Sequence, residues 1–349
     1  MDSTTPDSGH PSGQQVAADD MLPPVEAPDG RFLLQLFVVP AVIVFCVVML
    51  WLLVTTLATR GQADPAEIVG ALRGSNQARW QKAEQLASML RAPQRYPDLK
   101  TNAALASQLA VLLEEEIEAA GENDNAIELR YYLCRVLGEF RVDDGLPVLL
   151  RAAREDVEVD VRREAVNAIA VLAQSFAEMD PPQVLTADSF VETFQELAND
   201  QDDLIRSQTA YALGVLTQHE EADSELKNEL TVLLSDLHPD TRYNAALAFA
   251  RSGDVRASGA LSEMLDPEGL ALTLKSEELE SARSLKRDMV LQNAILGAKS
   301  LFDQNPPEAV ADLRGSLEAF VQAAPGWTEP SPVPDGLIDL AERILAGQP

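Results

Sequence analysis

The sequence is poor in the side chains that build metal centres and disulfide frameworks. Its 349 residues include three histidines and two cysteines. Cys46 lies in an apolar run and Cys134 in an amphipathic segment, without a CxxC spacing, so neither a disulfide framework nor a zinc motif is indicated. His10, His219 and His238 are too few for a histidine-built metal site. We therefore expect no metal, no cofactor and no small-molecule substrate.

Aromatic and basic side chains are also scarce. Aromatic residues make up 5% of the chain, which favours helices packed on alanine and leucine over a sheet core. Only 27 Lys and Arg stand against 56 Asp and Glu, which gives a formal net charge of −29. Such a surface repels phosphate backbones, so a nucleic acid is not an expected partner. A protein partner with a basic surface fits this charge better.

Glycine-rich nucleotide-binding motifs are absent from the sequence. Neither GxxxxGK[ST] nor GxGxxG occurs. The apolar stretch around Cys134 favours a buried, inert thiol over a nucleophile. The sequence therefore gives no positive reason to predict catalysis.

One long uncharged run is present near the start of the chain. Phe32–Ala58 has 27 residues and no charged side chain. As a helix it would be about 40 Å long, against roughly 30 Å of bilayer hydrocarbon. The run is about twice as long as the apolar region of a signal peptide, and the preceding residues are acidic. We therefore predict one transmembrane helix over residues 31–60 that contacts the lipid bilayer through Phe32–Ala58.

The residues on either side of this run suggest an orientation. Residues 1–30 are polar and acidic with almost no apolar anchor, which predicts a disordered acidic tail. Arg31 alone precedes the run, whereas four basic residues follow it closely: Arg60, Arg73, Arg79 and Lys82. By the positive-inside rule, we predict a single-pass protein of the cell (inner) membrane. The helical domain is then expected on the cytoplasmic side and the tail outside.

A repeat becomes visible from residue 125 when four arginines are aligned: Arg130, Arg162, Arg206 and Arg242. Apolar or small residues recur three, six, seven and ten positions after each arginine, and only Ser252 breaks the series. These offsets mark one face of an α-helix. A shorter apolar-periodic helix precedes three of the four. Because one helix pair cannot bury its apolar face alone, the pairs are expected to stack.

Three segments carry a resemblance to a known family: Asp160–Leu172, Leu204–Leu216 and Asp240–Ala250. They resemble the second helices of HEAT-type repeats, and the whole is similar to membrane-anchored HEAT-repeat proteins of planctomycete bacteria. The resemblance implies an all-α fold, an armadillo-like α-solenoid of stacked antiparallel helix pairs, with one N-terminal transmembrane helix. It also implies that the repeat arginines and the acids Glu128, Asp160, Asp203 and Asp240 join the repeats structurally.

The helical region divides by composition into four parts. We predict an N-terminal helical cap over 62–121, HEAT-like repeats over 125–304, and a capping helix over 307–324. A Pro-rich linker and a short C-terminal helix are predicted over 325–349. The repeat around Arg287 departs from the pattern, because Asn293 stands where alanine is expected.

The loops after the first helices are the candidate partner-binding region. Stacking is expected to bring them to one edge as an acidic stripe built from Asp156, Glu158, Asp160, Asp200, Asp202, Asp203, Asp236 and Asp240. Ordinary solvated turn acids are the favoured interpretation of these residues, since exposed turns favour aspartate. The preferred function is a membrane-tethered scaffold or adaptor for protein–protein interaction, without catalysis.

Two other classes of function remain open. One is a HEAT-fold enzyme or cofactor-binding protein, similar to a bilin lyase or a metal hydroxylase. Such hydroxylases carry His-Glu dipeptides on several repeats, whereas this chain has one, His219–Glu220. The other is a structural membrane protein that self-associates.

Overall fold

The computed structural model describes residues 30–60, 65–74, 79–218 and 224–347. The chain divides into two compact units, Met1–Ala63 and Asp64–Pro349. No strand occurs in the described ranges, where the regular structure is helical. The all-α prediction is therefore confirmed for these residues. The predicted tail before Gly30 lies outside them.

The described part of the first unit is one helix, α1, over Gly30–Arg60. It has 31 residues and includes Pro40. Its apolar side chains between Val38 and Leu53 are exposed. Among the described residues, no helix combines the length and apolarity needed to cross a membrane. The bilayer-spanning role of Phe32–Ala58 therefore stays a prediction.

The described part of the second unit is built from seven packed helix pairs. In chain order they are α2 (Pro65–Leu72) with α3 (Arg79–Leu90), α4 (Ala103–Ala119) with α5 (Asp124–Gly138), α6 (Leu146–Glu155) with α7 (Val159–Ala177), α8 (Phe190–Ala198) with α9 (Asp203–Leu216), α10 (Ser224–Leu233) with α11 (Pro239–Arg251), α12 (Ser258–Met264) with α14 (Glu280–Gln304), and α15 (Ala311–Ala323) with α16 (Asp335–Leu345). A further helix, α13 (Pro267–Thr273), lies between α12 and α14.

Two layers result from this arrangement. Each second helix packs on the next one, in the series α3, α5, α7, α9, α11, α14 and α16. The first helices α4, α6, α8 and α10 form the other layer, and α12 packs on α15. Stacked two-layer helix pairs are an α-solenoid, in which each unit contacts its neighbours. The predicted architecture is confirmed for this unit.

The repeat pattern accounts for the core of the array. The residues three, six and seven positions after Arg130, Arg162, Arg206 and Arg242 are all buried, and Phe140, Leu172 and Leu216 extend the same face. Several of these positions hold alanine, which allows neighbouring second helices to approach closely. Ser252, the exception in the series, is exposed at the end of α11. The predicted apolar face of the second helices is thus confirmed.

Helix α14 keeps the architecture with a small change in the residues that it buries. Asn293 is exposed, while Ala294 and Ile295 beside it are buried. The polar side chain is tolerated because α14 turns it to solvent. The unit that looked degraded in sequence is therefore a complete one, with α13 inserted before its second helix.

Both predicted ends of the repeat region differ in the structure. Helix α4 pairs with α5, and α3 stacks on α5, so the helices of the predicted cap continue the array. Helix α16 packs on both α14 and α15, so the predicted capping helix and the short last helix form one more pair. The connection over 324–334 is rich in proline, which gave this segment the appearance of a linker.

Candidate functional site on the second helices

A row of arginines joins consecutive helix pairs, and we name it the arginine ladder: Arg79, Arg130, Arg162, Arg206, Arg242 and Arg287. Arg130 on α5 is fully buried. Its Nε and Nη2 donate to the two carboxylate oxygens of Asp156 at 2.7 and 3.2 Å. Its Nη1 donates to the carbonyl of Gly121 at 2.9 Å. One guanidinium therefore donates hydrogen bonds to acceptors in the loop of its own pair and in the loop of the next pair.

The same scheme recurs along the array. Arg206 donates to both carboxylate oxygens of Asp236 at 2.7 and 3.1 Å, and to the carbonyl of Asp200 at 2.8 Å. Arg162 lies 3.6 Å from the carboxylate of Asp200 and donates to the carbonyl of Asp156 at 3.4 Å. Each of these arginines binds a carbonyl in its own pair and an aspartate in the following pair. The ladder is therefore an inter-repeat connection.

The ends of the ladder use other acceptors. Arg242 binds the carboxylate of Glu263 on α12 instead of a loop aspartate. Arg287 donates to the carbonyls of Ser331 and Pro332 in the connection between α15 and α16. This contact fixes the Pro-rich segment that the sequence suggested was a linker.

Arg79 is a member of the ladder that the sequence did not reveal. It donates from Nε to the carbonyl of Leu72 at 2.6 Å and from Nη2 to Glu116 on α4 at 2.7 Å. Helix α3 is short, and its Arg79 lies 51 residues before Arg130. This interval is longer than those between the other ladder arginines. The basic residue at the start of an amphipathic helix was the only available signal.

The acids that bind the ladder are not those that directly precede each arginine. Glu128, Asp160 and Asp240 lie two positions before their arginines, and residues two apart on a helix do not face each other. The bound aspartates instead come from the next loop, six positions before the following arginine. The predicted inter-repeat bonding is present, but its acidic partners differ from the predicted ones.

The remaining loop acids also have partners within the chain. Asp202 accepts a hydrogen bond from the Ile205 amide and lies 3.3 Å from Arg163, which also binds Asp160 at 2.8 Å. Two further acids contact cationic or ionisable side chains, Asp203 with His238 at 3.6 Å and Asp240 with Lys286 at 2.9 Å. Glu158 is half-exposed, and its amide donates to Asp156. The loops do lie along one edge, but arginines and lysine alternate with the acids. These acids are therefore partly neutralised by cations of the same chain, and partner binding at these loops stays a prediction.

The ladder should make the array sensitive to acid. Burial acts to raise the pKa of Asp236, but hydrogen bonds from Arg206 and the His238 amide outweigh it, and the net shift is downward. An aspartate with a lowered folded-state pKa stabilises the fold above its unfolded pKa of about 3.9 and loses that contribution as pH falls through the folded value. We expect the urea concentration at the midpoint of unfolding to decrease when the pH is lowered below about 4. Asp236→Asn should lower this midpoint at pH 6 and make its decrease at low pH smaller. Asp339→Asn, at an exposed position on α16, should keep the parent profile. An unchanged acid slope in Asp236→Asn would contradict the assignment.

The exposed face of the second helices forms a continuous surface, which we name the second-helix surface. It contains the positions two before and two, five and nine after each ladder arginine from α5 to α14; most of them are at least partly exposed, whereas Glu164 and Val215 are buried. Polar contacts cross it between neighbouring helices: Arg135 with Glu164 at 3.2 Å, Gln208 with Asn167 at 3.1 Å, and Asn244 with Ser207 at 3.0 Å. Large apolar side chains are also exposed on it, at Leu204, Tyr211, Leu285, Met289 and Leu296. The surface thus carries exposed apolar side chains on both α9 and α14, with polar contacts between neighbouring helices.

A cavity of about 770 Å³ opens on this surface between α5 and α7. Tyr131 and Tyr132 line it together with four carboxylates and one guanidinium, from Asp124, Glu128, Asp160, Glu164 and Arg163. Glu164 is only 7% exposed. Its Oε1 lies 3.2 Å from Arg135 Nε, but no hydrogen-bond donor is aligned with that oxygen. Burial raises the pKa of Glu164, and burial together with Glu164 raises the pKa of Tyr131.

Cys134 and His238, the described cysteine and histidine of the helical array, do not line this cavity. Cys134 is fully buried, and burial raises the pKa of its thiol well above the ordinary value. His238 lies in the turn before α11, and His219–Glu220 falls outside the described residues. Within the part of the chain that the structure describes, no group of three or more His, Cys, Asp or Glu side chains is arranged to hold a metal ion. The enzymatic alternatives remain untested predictions.

Comparison with models of protein families gives a match. A family model described as HEAT repeats matches residues 190–271, which cover α8 to α12 and most of α13. No curated protein matches the chain. The match and the helical structure together support a HEAT-repeat array.

Proposed function

We propose that the protein is a membrane-tethered interaction scaffold, in which the acidic HEAT-repeat unit holds a protein partner on its second-helix surface. HEAT repeats generally serve as protein-interaction scaffolds. The proposed scaffold has no catalytic activity of its own, and its partner has a basic surface that complements the formal charge of −29.

The observation that carries the proposal is the exposed apolar face of α14. Leu285, Met289 and Leu296 are 65%, 53% and 45% exposed, and their spacing places them on one face of the helix. Contiguous exposed apolar surface with a polar surround marks interaction sites, and methionine is enriched at protein interfaces. This face continues the polar second-helix surface, which offers a partner an apolar anchor and a polar region together.

The tether is proposed from helix α1 and its composition. The segment Phe32–Ala58 is uncharged, and the described side chains between Val38 and Leu53 are exposed and mostly apolar. A single helix of this kind with a large hydrophilic domain fits an anchor better than a transport path. The proposed location is the inner membrane, with residues 64–349 on the cytoplasmic side. Reporter fusions at both termini test this, and a C-terminus outside the cytoplasm would reverse the orientation.

The experiment for the scaffold function is cross-linking in native membranes followed by recovery of the full-length chain. The double variant Leu285→Ser and Met289→Ser should lose the proteins that the parent recovers, because the apolar anchor is removed. Val232→Ser is the matched control, since Val232 is 55% exposed on α10 in the first-helix layer. Equal recovery by the parent and both variants would reject the second-helix surface as the binding face.

A further inference from the structure

We propose that the cavity between α5 and α7 is a subsite for an arginine side chain from a basic segment of the partner protein. This inference rests on the proposed function and assigns it a specific contact. The cavity lies on the second-helix surface, about three helices away from the apolar face of α14 in the stacking order. A partner lying along the array would therefore reach both.

The charges that line the cavity favour a cation. Four carboxylates stand against the single guanidinium of Arg163, which is already engaged by Asp160 and Asp202. Glu164 is the most buried of the four carboxylates. Its Oε1 has no hydrogen-bond donor aligned with it. Removing a carboxylate from water is unfavourable unless cations compensate it, so a further cation in the cavity is stabilised by Glu164 in addition to Arg135. This makes the site more than a collection of surface acids.

The aromatic side chains favour a flat cation. Tyr131 and Tyr132 both line the cavity. Tyr132 stacks on Trp80 of α3, with ring centroids 5.6 Å apart and an interplanar angle of 18°, so its ring is held in place before any ligand arrives. A guanidinium stacks flat on aromatic rings and presents several donors in a planar fork, whereas an ammonium has no planar fork. Arginine is therefore the preferred side chain over lysine.

The chain itself supplies an example of this recognition. The guanidinium of Arg135 lies 5.7 Å from the centre of the Tyr131 ring, and its Nε lies 3.2 Å from Glu164. One guanidinium thus already packs against the same tyrosine and carboxylate from the α5 side. The ligand arginine is placed on the open side of the cavity, toward Glu128 and Asp160.

A second acidic cavity in the array provides a built-in comparison. It has a volume of about 340 Å³ and is lined by Asp339, Glu342, Arg343 and Ala346 on α16. It has no aromatic lining, and both of its acids are exposed. Non-specific attraction to an acidic surface should act at both cavities, whereas specific recognition should act only between α5 and α7.

The test uses the full-length chain and a short fluorescent peptide with arginines at alternate positions, measured by anisotropy at fixed ionic strength. We expect Glu128→Gln with Glu164→Gln to raise the Kd by about tenfold, since two charge-assisted contacts are lost. Asp339→Asn with Glu342→Gln removes the same number of charges and should change the Kd by less than about twofold. A peptide with citrulline in place of arginine should bind at least about tenfold more weakly, because the shape is kept and the charge is lost.

Several outcomes would overturn the assignment. Equal weakening by the two double variants, or equal binding of the citrulline peptide, would show general electrostatic attraction only. Glu128→Gln alone, at an exposed position, covers the case in which Glu164→Gln disturbs folding, and its Kd should rise by about threefold. If pocket variants bound the peptide normally while Leu285→Ser with Met289→Ser lost the partner, the subsite would be rejected and the scaffold function would stand. If the α14 variant kept the partner and the pocket variants lost the peptide, the scaffold surface would need revision.

Discussion

Replacing Arg130 by methionine should lower the free energy of unfolding of the helical array by about 3–5 kcal/mol, the cost of breaking one side of a buried ion pair. The side chains of Arg130 and Asp156 are 0% and 1% exposed. Methionine fills similar space but leaves the Asp156 carboxylate buried without its cation. It also removes the donor to the Gly121 carbonyl. Urea denaturation of the full-length chain, followed by far-ultraviolet circular dichroism, measures the effect.

A matched control exists on the first helices. Arg154 binds Glu196 with the same two-bond geometry, at 2.7 and 2.9 Å, but this pair is solvent-exposed. Arg154→Met should therefore cost no more than about 1 kcal/mol. Adding Asp156→Asn to Arg130→Met should recover part of the loss, because the buried charge is removed and the acceptor for the Glu158 amide is kept. Equal losses in Arg130→Met and Arg154→Met would show that burial does not set the strength of the ladder.

Replacing Arg287 by methionine should open the last helix pair while leaving the middle of the array intact. The Arg287 side chain is 2% exposed and donates to the carbonyls of Ser331 and Pro332. Each carbonyl that loses its donor costs about 1–3 kcal/mol, so amide exchange in α16 should accelerate by about tenfold or more. Hydrogen exchange with mass spectrometry locates the change.

The neighbouring Arg283 serves as the control for this prediction. It also lies on α14, four residues before Arg287, but it is exposed and donates only to the Glu278 carbonyl at 3.2 Å among the described contacts. Arg283→Met should leave the exchange of α16 unchanged. Faster exchange throughout α7 and α9 in Arg287→Met would contradict a local role for this contact.

The sequence predicted the helices well because their signals are local. The periodic burial after each repeat arginine was readable from residue spacing, and the shorter helices predicted before three of those arginines are α6, α8 and α10. Asn293 shows the limit of this reasoning. A polar residue at an expected core position suggested a degraded repeat, but that position is exposed on α14, while the positions three and seven after Arg287 are buried as in the other repeats. Which positions of a helix are covered depends on its neighbours, so a linear pattern does not encode it.

Contacts between pairs were harder to predict from the sequence. The acid closest in sequence to Arg130 is Glu128, whereas its partner is Asp156, 26 residues later. The cavity between α5 and α7 was equally hard to predict, because Tyr131 and Glu164 come together only when the two helices stack. No sequence motif links these two residues. Stacking geometry decides both features, and it follows from the whole array rather than from any single segment.

The arginine ladder has a consequence for how the array responds to mechanical load. Every described rung from Arg130 to Arg287 ties a second helix to the pair that follows it. A pair pulled out of the stack must therefore break bonds on both of its sides at once. In a stack held by apolar contact alone, pairs would detach one after another at low force. Here the rungs connect each pair to both of its neighbours, and the Arg162–Asp200 contact, at 3.6 Å, is the longest ion pair among those from Arg130 to Arg242.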